Sequence, residues 1–154
     1  MLKALVPVDG SANSLSAVRH VIKLVSDREP LEIHLLNVQP PLHGDVTMFI
    51  GSKVVKDYHE EEAAKALAPA CRLLDERGVP YTRHVVVGHA AHEIAVWAHK
   101  LHCDKVIMGT RGLGAVTQLL TDSVTHAAIH EMDPAIPVTL VKAAPDSAVA
   151  ETQR

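Results

Sequence analysis

The chain has 154 residues, of which 47% are hydrophobic but only 3% aromatic, and its formal net charge is −3. That length suits one domain with a full core, which must be built from Val, Leu, Ile and Ala. No basic cluster and no apolar run of bilayer length occurs, so nucleic acid and membranes are not expected partners.

Leu2 to Val8 is apolar on both alternating faces, as in a buried parallel strand, and it ends in Pro7-Val8-Asp9-Gly10-Ser11. No leader of signal-peptide type precedes it, and Cys71 and Cys103 have no pairing logic, so a reduced cytoplasmic protein is expected. Ser11 or Asn13 can cap a helix whose apolar face is Leu15, Val18, Val21, Ile22 and Val25. Leu31 to Val38 is a second strand, closed by Pro40-Pro41. The stretch from Leu42 to Lys53 reads as a loop. A helical pattern then runs from about Val54 to Arg77, with Pro69 inside it as an expected kink or break and Gly78 as its stop.

Tyr81 to Val87 is a third strand, and His89 to His102 an amphipathic helix with Ile94, Trp97 and Leu101 at helical spacing. Lys105 to Met108 is the fourth strand, Ser123 to about Met132 the last helix, and Val138 to Val141 the final strand. Residues 143–154 are small and polar and read as a flexible tail. Strict alternation of strand and helix calls for an α/β fold, a single-domain doubly wound parallel sheet with helices on both faces. Ligands on such sheets bind beyond the strand carboxyl ends, where strand order reverses. That rule points to Val8 and Asp9 at one tip and to Met108 and Gly109 at another.

Between the fourth strand and the last helix lies Gly109-Thr110-Arg111-Gly112-Leu113-Gly114, a glycine loop leading into a helix start. Converging backbone N–H groups and the helix dipole suit such a loop to an anion. It is no P-loop, because Ala115-Val116 stand where Lys and Ser or Thr are needed. Its G-x-x-G-x-G spacing and late position also miss the dinucleotide fingerprint. No nucleophile elbow or catalytic triad is visible, so no enzyme activity is expected. Several histidines share helix faces (His89 with His92, His99 with His102, His126 with His130), but without an H-E-x-x-H motif or a cysteine pair. They read as solvated faces, with no metal expected.

The opening Pro7-Val8-Asp9-Gly10-Ser11, the run Asp104-Lys105-Val106-Ile107-Met108-Gly109-Thr110-Arg111-Gly112 and the closing Ile136-Pro137-Val138-Thr139-Leu140-Val141 together resemble the universal stress protein family. The likeness extends over about Leu2 to Lys142. It implies a five-stranded parallel sheet in the order 3-2-1-4-5 and a homodimer. It also implies, for a subset, ATP bound through G-x-x-G, nine residues, then G-[ST]. Gly109, Gly112 and Ser123 match that pattern, while Asp122 replaces its third glycine. By the same resemblance Asp9 would bond the ribose, and Val38, Pro7 and Val8 would flank the adenine. Gly109, Gly112, Ser123 and Val124 would line the phosphates, with Arg111 the one positive charge near them. In the implied strand order Val138 to Val141 is an edge, open to antiparallel pairing with a second copy.

Asp122 divides two readings. Like charges about 4 Å apart repel by about 4 kcal/mol at an effective dielectric of 20, whereas a helix N-terminus gives an anion about 0.3–1 kcal/mol. A carboxylate facing the loop would therefore exclude nucleotide, leaving a nucleotide-free dimeric stress or interaction protein. A carboxylate turned to solvent, or bridged to phosphate by Mg²⁺, would leave a regulatory ATP site.

Overall fold

A computed structural model of the protein describes residues 1–42, 44–110 and 122–142. Its elements are β1 (Leu2–Pro7), α1 (Ala12–Ser26), β2 (Leu31–Gln39), α2 (Gly44–Glu76), β3 (Tyr81–Val87), α3 (Ala90–Lys100), β4 (Lys105–Thr110), α4 (Asp122–Glu131) and β5 (Val138–Lys142). The five strands are parallel and lie in the order β3-β2-β1-β4-β5, as the sequence resemblance implied. No helix among the described residues is long and apolar enough to cross a membrane.

Strict alternation along the central strands feeds two cores. Ala4 and Val6 of β1, Val8 just beyond it, Ile33 and Leu35 of β2, and Ile107 of β4 pack under α1 and α2. Leu5, Leu36, Val106 and Met108 point the other way and pack under α3 and α4. Strands covered on both faces carry apolar residues at successive positions, as at Ala4 to Val6, Leu35-Leu36 and Val106 to Met108. The second core also holds Cys103, where burial pushes the thiol up to about 11 and keeps it protonated at neutral pH.

Two expectations about α2 are overturned. The stretch read as a loop from Leu42 to Lys53 is helical from Gly44 onward, and the break falls at Gly51 (φ 76°, ψ 161°) instead of at Pro69. Only glycine takes that backbone conformation without strain. Pro69 costs its helix about 3 kcal/mol. Against that, Leu67 and Leu74 flank it fully buried, each contributing about 1.5–3 kcal/mol of apolar burial. Packing holds the helix together across the proline.

β4 also extends further than read. Gly109 and Thr110 pair with Val141 and Lys142, so the first glycine of the loop motif is the penultimate strand residue. Its reason is steric. A Cβ at position 109 would collide with the backbone carbonyl of Asn13 at the start of α1. Gly109→Ala is expected to destabilise the fold by about 3 kcal/mol, the upper end of overpacking costs. Urea denaturation measures this, and a loss below about 1 kcal/mol would mean that α1 does not sit on β4.

On the α3 side, Glu32 Oε2 lies 2.6 Å from His34 Nε2, and His34 Nδ1 lies 2.9 Å from His84 Nε2. With the Nε2 proton of His34 given to the carboxylate, His84 donates to His34. His84 packs on Trp97, over which Lys100 sits. Burial, His34 and Lys100 hold the His84 pKa below its ordinary value of 6.5. A lowered folded-state pKa means that the unfolded chain binds more protons below about 6.5, so stability falls as pH drops through that value. The urea midpoint should decline between pH 7.5 and 5.5, and less so in His84→Gln. An equal decline in that variant would place the sensitivity elsewhere.

Candidate functional site: a cavity at the strand tips

The turn after β1 is built on Asp9. Its Oδ1 accepts from the Ser11 backbone N–H at 2.9 Å and lies 3.0 Å from the Ser14 hydroxyl. Ser11 in turn caps α1, accepting from the Ser14 backbone N–H at 3.3 Å. This settles the choice between two candidate caps, since Asn13 is instead buried inside the helix. Asp9 Oδ2 is also buried, and no described group bonds to it; Thr125 Oγ1 is the other such side-chain atom. A buried acceptor left unpaired costs about 1–3 kcal/mol. Such an atom is a place for a ligand hydroxyl to donate.

Buried amides fix the neighbouring tips. Asn37 Nδ2 donates to the Val8 carbonyl at 2.8 Å, Gln39 Nε2 to Asn37 Oδ1 at 2.7 Å, and the Gly88 N–H to the Gln39 carbonyl at 2.9 Å. These bonds join the ends of β1, β2 and β3. β1 pairs with β2 as far as Pro7↔Leu36, but with β4 only at Ala4↔Lys105 and Leu5↔Val106. The strands on either side of the switch point therefore part before their tips.

A cavity of about 260 Å³ lies at this end. Pro7, Val8 and Asp9 form one side, and Leu36, Val38 and Pro40 the second. Gly88, Ala90 and Ile94 close it from the start of α3, and Val124 from α4. The described walls are largely apolar, and among the described lining residues Asp9 is the charged one. A wider, more polar groove of about 510 Å³ runs outside, between α2 and the β3 edge, lined by Ser52, Lys56, His59 and Glu60 along with valines.

Of the site residues expected from sequence, Pro7, Val8, Asp9, Val38 and Val124 thus share one cavity. Met108 does not line it. That side chain is fully buried in the second core, because its strand position points it under α3 and α4. Gly109 lies against Asn13 in β4. Ser123 is in the first turn of α4, its side chain outside the described residues, as is that of Asp122. Arg111 and Gly112 also lie outside the described residues. Leu36, Pro40, Gly88, Ala90 and Ile94 were missed, and the turn signal at Gly88 after an apolar strand would have been the clue to the α3 side.

With this geometry in hand, comparison with known proteins is informative. The profile of the universal stress protein family matches residues 1–142. A universal stress protein of Methanocaldococcus jannaschii is 30% identical over 146 residues, covering 91% of this chain and 81% of its own. A hypothetical protein whose biochemical function was assigned from its structure superposes with a TM-score of 0.72 at 28% identity, over 93% of this chain and 96% of that one. A universal stress protein of Arabidopsis thaliana, solved with AMP bound, shares the fold with a TM-score of 0.68 at 19% identity, over 95% and 94% of the two chains. The chain belongs to the universal stress protein family.

Proposed function

We propose that this protein is a cytoplasmic homodimer that binds an adenine nucleotide, ATP with Mg²⁺, as a regulatory ligand and not as a substrate. The observation that carries the reading is Asp9 Oδ2, buried and without a partner among the described residues, beside an apolar cavity. A ribose hydroxyl supplies the missing donor, and Val8, Val38, Ile94 and Val124 offer flat apolar contact to the base. At about 260 Å³ the cavity is smaller than the roughly 300–1,000 Å³ of whole-ligand sites. It suits the nucleoside, with the phosphates outside near the α4 N-terminus. The AMP held by the Arabidopsis relative supports the choice of adenine. Asp9 is the ionisable side chain among the described cavity residues, and in this reading its Oδ2 meets a ribose hydroxyl and not a water.

The test is a thermal or calorimetric titration with ATP and AMP, with and without Mg²⁺. A working site gains about 2.7 kcal/mol of stability at a hundredfold excess over Kd. Asp9→Asn should weaken binding about 10- to 100-fold, matching the roughly 1.5–3 kcal/mol of a hydrogen bond to a charged group. No shift at millimolar nucleotide sinks the reading. Should Asp122→Gly then bind, the pocket is intact and its loop carboxylate closes it.

The dimer is proposed through β5. This strand pairs with β4 on one side only, lies at the sheet edge and leaves Leu140 45% exposed. An apolar edge invites antiparallel addition of the same strand from a second copy. Sedimentation should find a dimer for the wild type and a monomer for Leu140→Lys. A variant that stays dimeric moves the interface elsewhere.

A further inference from the structure

The chain has 11 histidines, and three of their clusters lie away from the cavity. In two of them the rings already face carboxylates. His34 is held by Glu32 within the sheet, and His92 and His99 reach from α3 to Glu131 and Asp133 at 2.8 and 3.9 Å. The third is different. On the outer face of α4, His126 and His130 stand one turn apart with their Nε2 atoms 3.0 Å from each other, ring centroids 4.5 Å apart and planes at 80°. Both rings are exposed. We propose that His126 and His130 form a two-point chelate for a divalent transition-metal ion of square-planar or octahedral preference, Cu²⁺ or Ni²⁺.

Two neutral imidazoles at this distance share one proton, with one ring donating and the other accepting. In water such a bond competes with solvent and contributes little, so an ion displaces it readily. The helix backbone presets the i, i+4 spacing, so both donors arrive together. Nitrogens 3.0 Å apart, each at a metal bond of about 2.0–2.1 Å, subtend roughly 91–97° at the ion. That is the angle between neighbouring positions of a square or an octahedron, which Cu²⁺ and Ni²⁺ favour. A tetrahedral ion such as Zn²⁺ needs the nitrogens opened to about 3.3 Å or more. His130 also lies in the last turn of α4, where the dipole favours positive charge. Among the described residues no group of three or more His, Cys, Asp or Glu converges on one point. Water therefore completes the coordination, and the ion is exchangeable.

This proposal is independent of the nucleotide reading, and its test uses the metal alone on the untagged full chain. Calorimetry with Cu²⁺ and with Ni²⁺, together with Cu²⁺ EPR, should find one ion per chain bound through two imidazole nitrogens. His126→Ala and His130→Ala should each weaken that site at least tenfold, while His92→Ala with His99→Ala leaves it unchanged. Both alanine changes sit on an exposed helix face and favour the helix, so folding is preserved. Ni²⁺ should raise the Tm of the wild type and of neither single variant. Wild-type affinity in the two α4 variants overturns the proposal, as does loss that follows His92 and His99 instead. Preference for Zn²⁺ over Ni²⁺ at equal concentration overturns the assigned geometry.

Discussion

The site end of the sheet depends on how closely α1 begins over β4. The Asn13 carbonyl occupies the space that a side chain at position 109 would fill. A residue with a Cβ there would force the start of α1 outward, and with it the turn that carries Asp9. Because Gly109 permits the approach, the chain leaving β1 crosses the switch point at once. β1 stops pairing with β4 at Leu5↔Val106 while it continues along β2 to Pro7↔Leu36. The described lining of the cavity at this end comes from the β1 and β2 tips, the start of α3 and α4.

Polar groups near that gap are handled unevenly. Asn37 and Gln39 are buried and bonded to each other and to the Val8 carbonyl, so the β2 tip carries its amides at little cost. Asp9 is treated in the opposite way. One of its oxygens holds the turn and the cap of α1, and the other is buried without a described partner. Among the described residues two neighbouring buried amides are satisfied and that carboxylate oxygen has no partner, and the proposed nucleotide reading rests on this atom. In that reading the apolar walls supply area and the oxygen supplies orientation.

Most of this architecture can be read from residue pattern. Apolar residues at successive positions of β1, β2 and β4 reflect helices on both faces, and strict strand–helix alternation predicts the parallel sheet. Asp9 is legible because ligands on such sheets bind at strand tips where strand order reverses, whereas Val38 comes from the family resemblance alone. What pattern misses is decided by contacts distant in sequence. Pro69 is tolerated because Leu67 and Leu74 are clamped onto the sheet, and Gly51 takes the break. Met108 looks like a tip residue by position, yet strand alternation turns it into the core. Ile94 reads as an ordinary helix-face residue. Only the packing of α3 on β2 places it at both the core and the cavity wall.

The wall of the cavity draws residues from the beginnings of α3 and α4 and from the turn that opens α1. Three helices thus point their amide-bearing ends toward one region, each equivalent to about half a positive charge. Asp9 sets a carboxylate against the first of them, bonding the Ser11 N–H, so part of that field is already answered from within the chain. Backbone dipoles of this kind neither titrate nor reorient. Their field acts only over the first turn of each helix, and no count of lysines and arginines would reveal it.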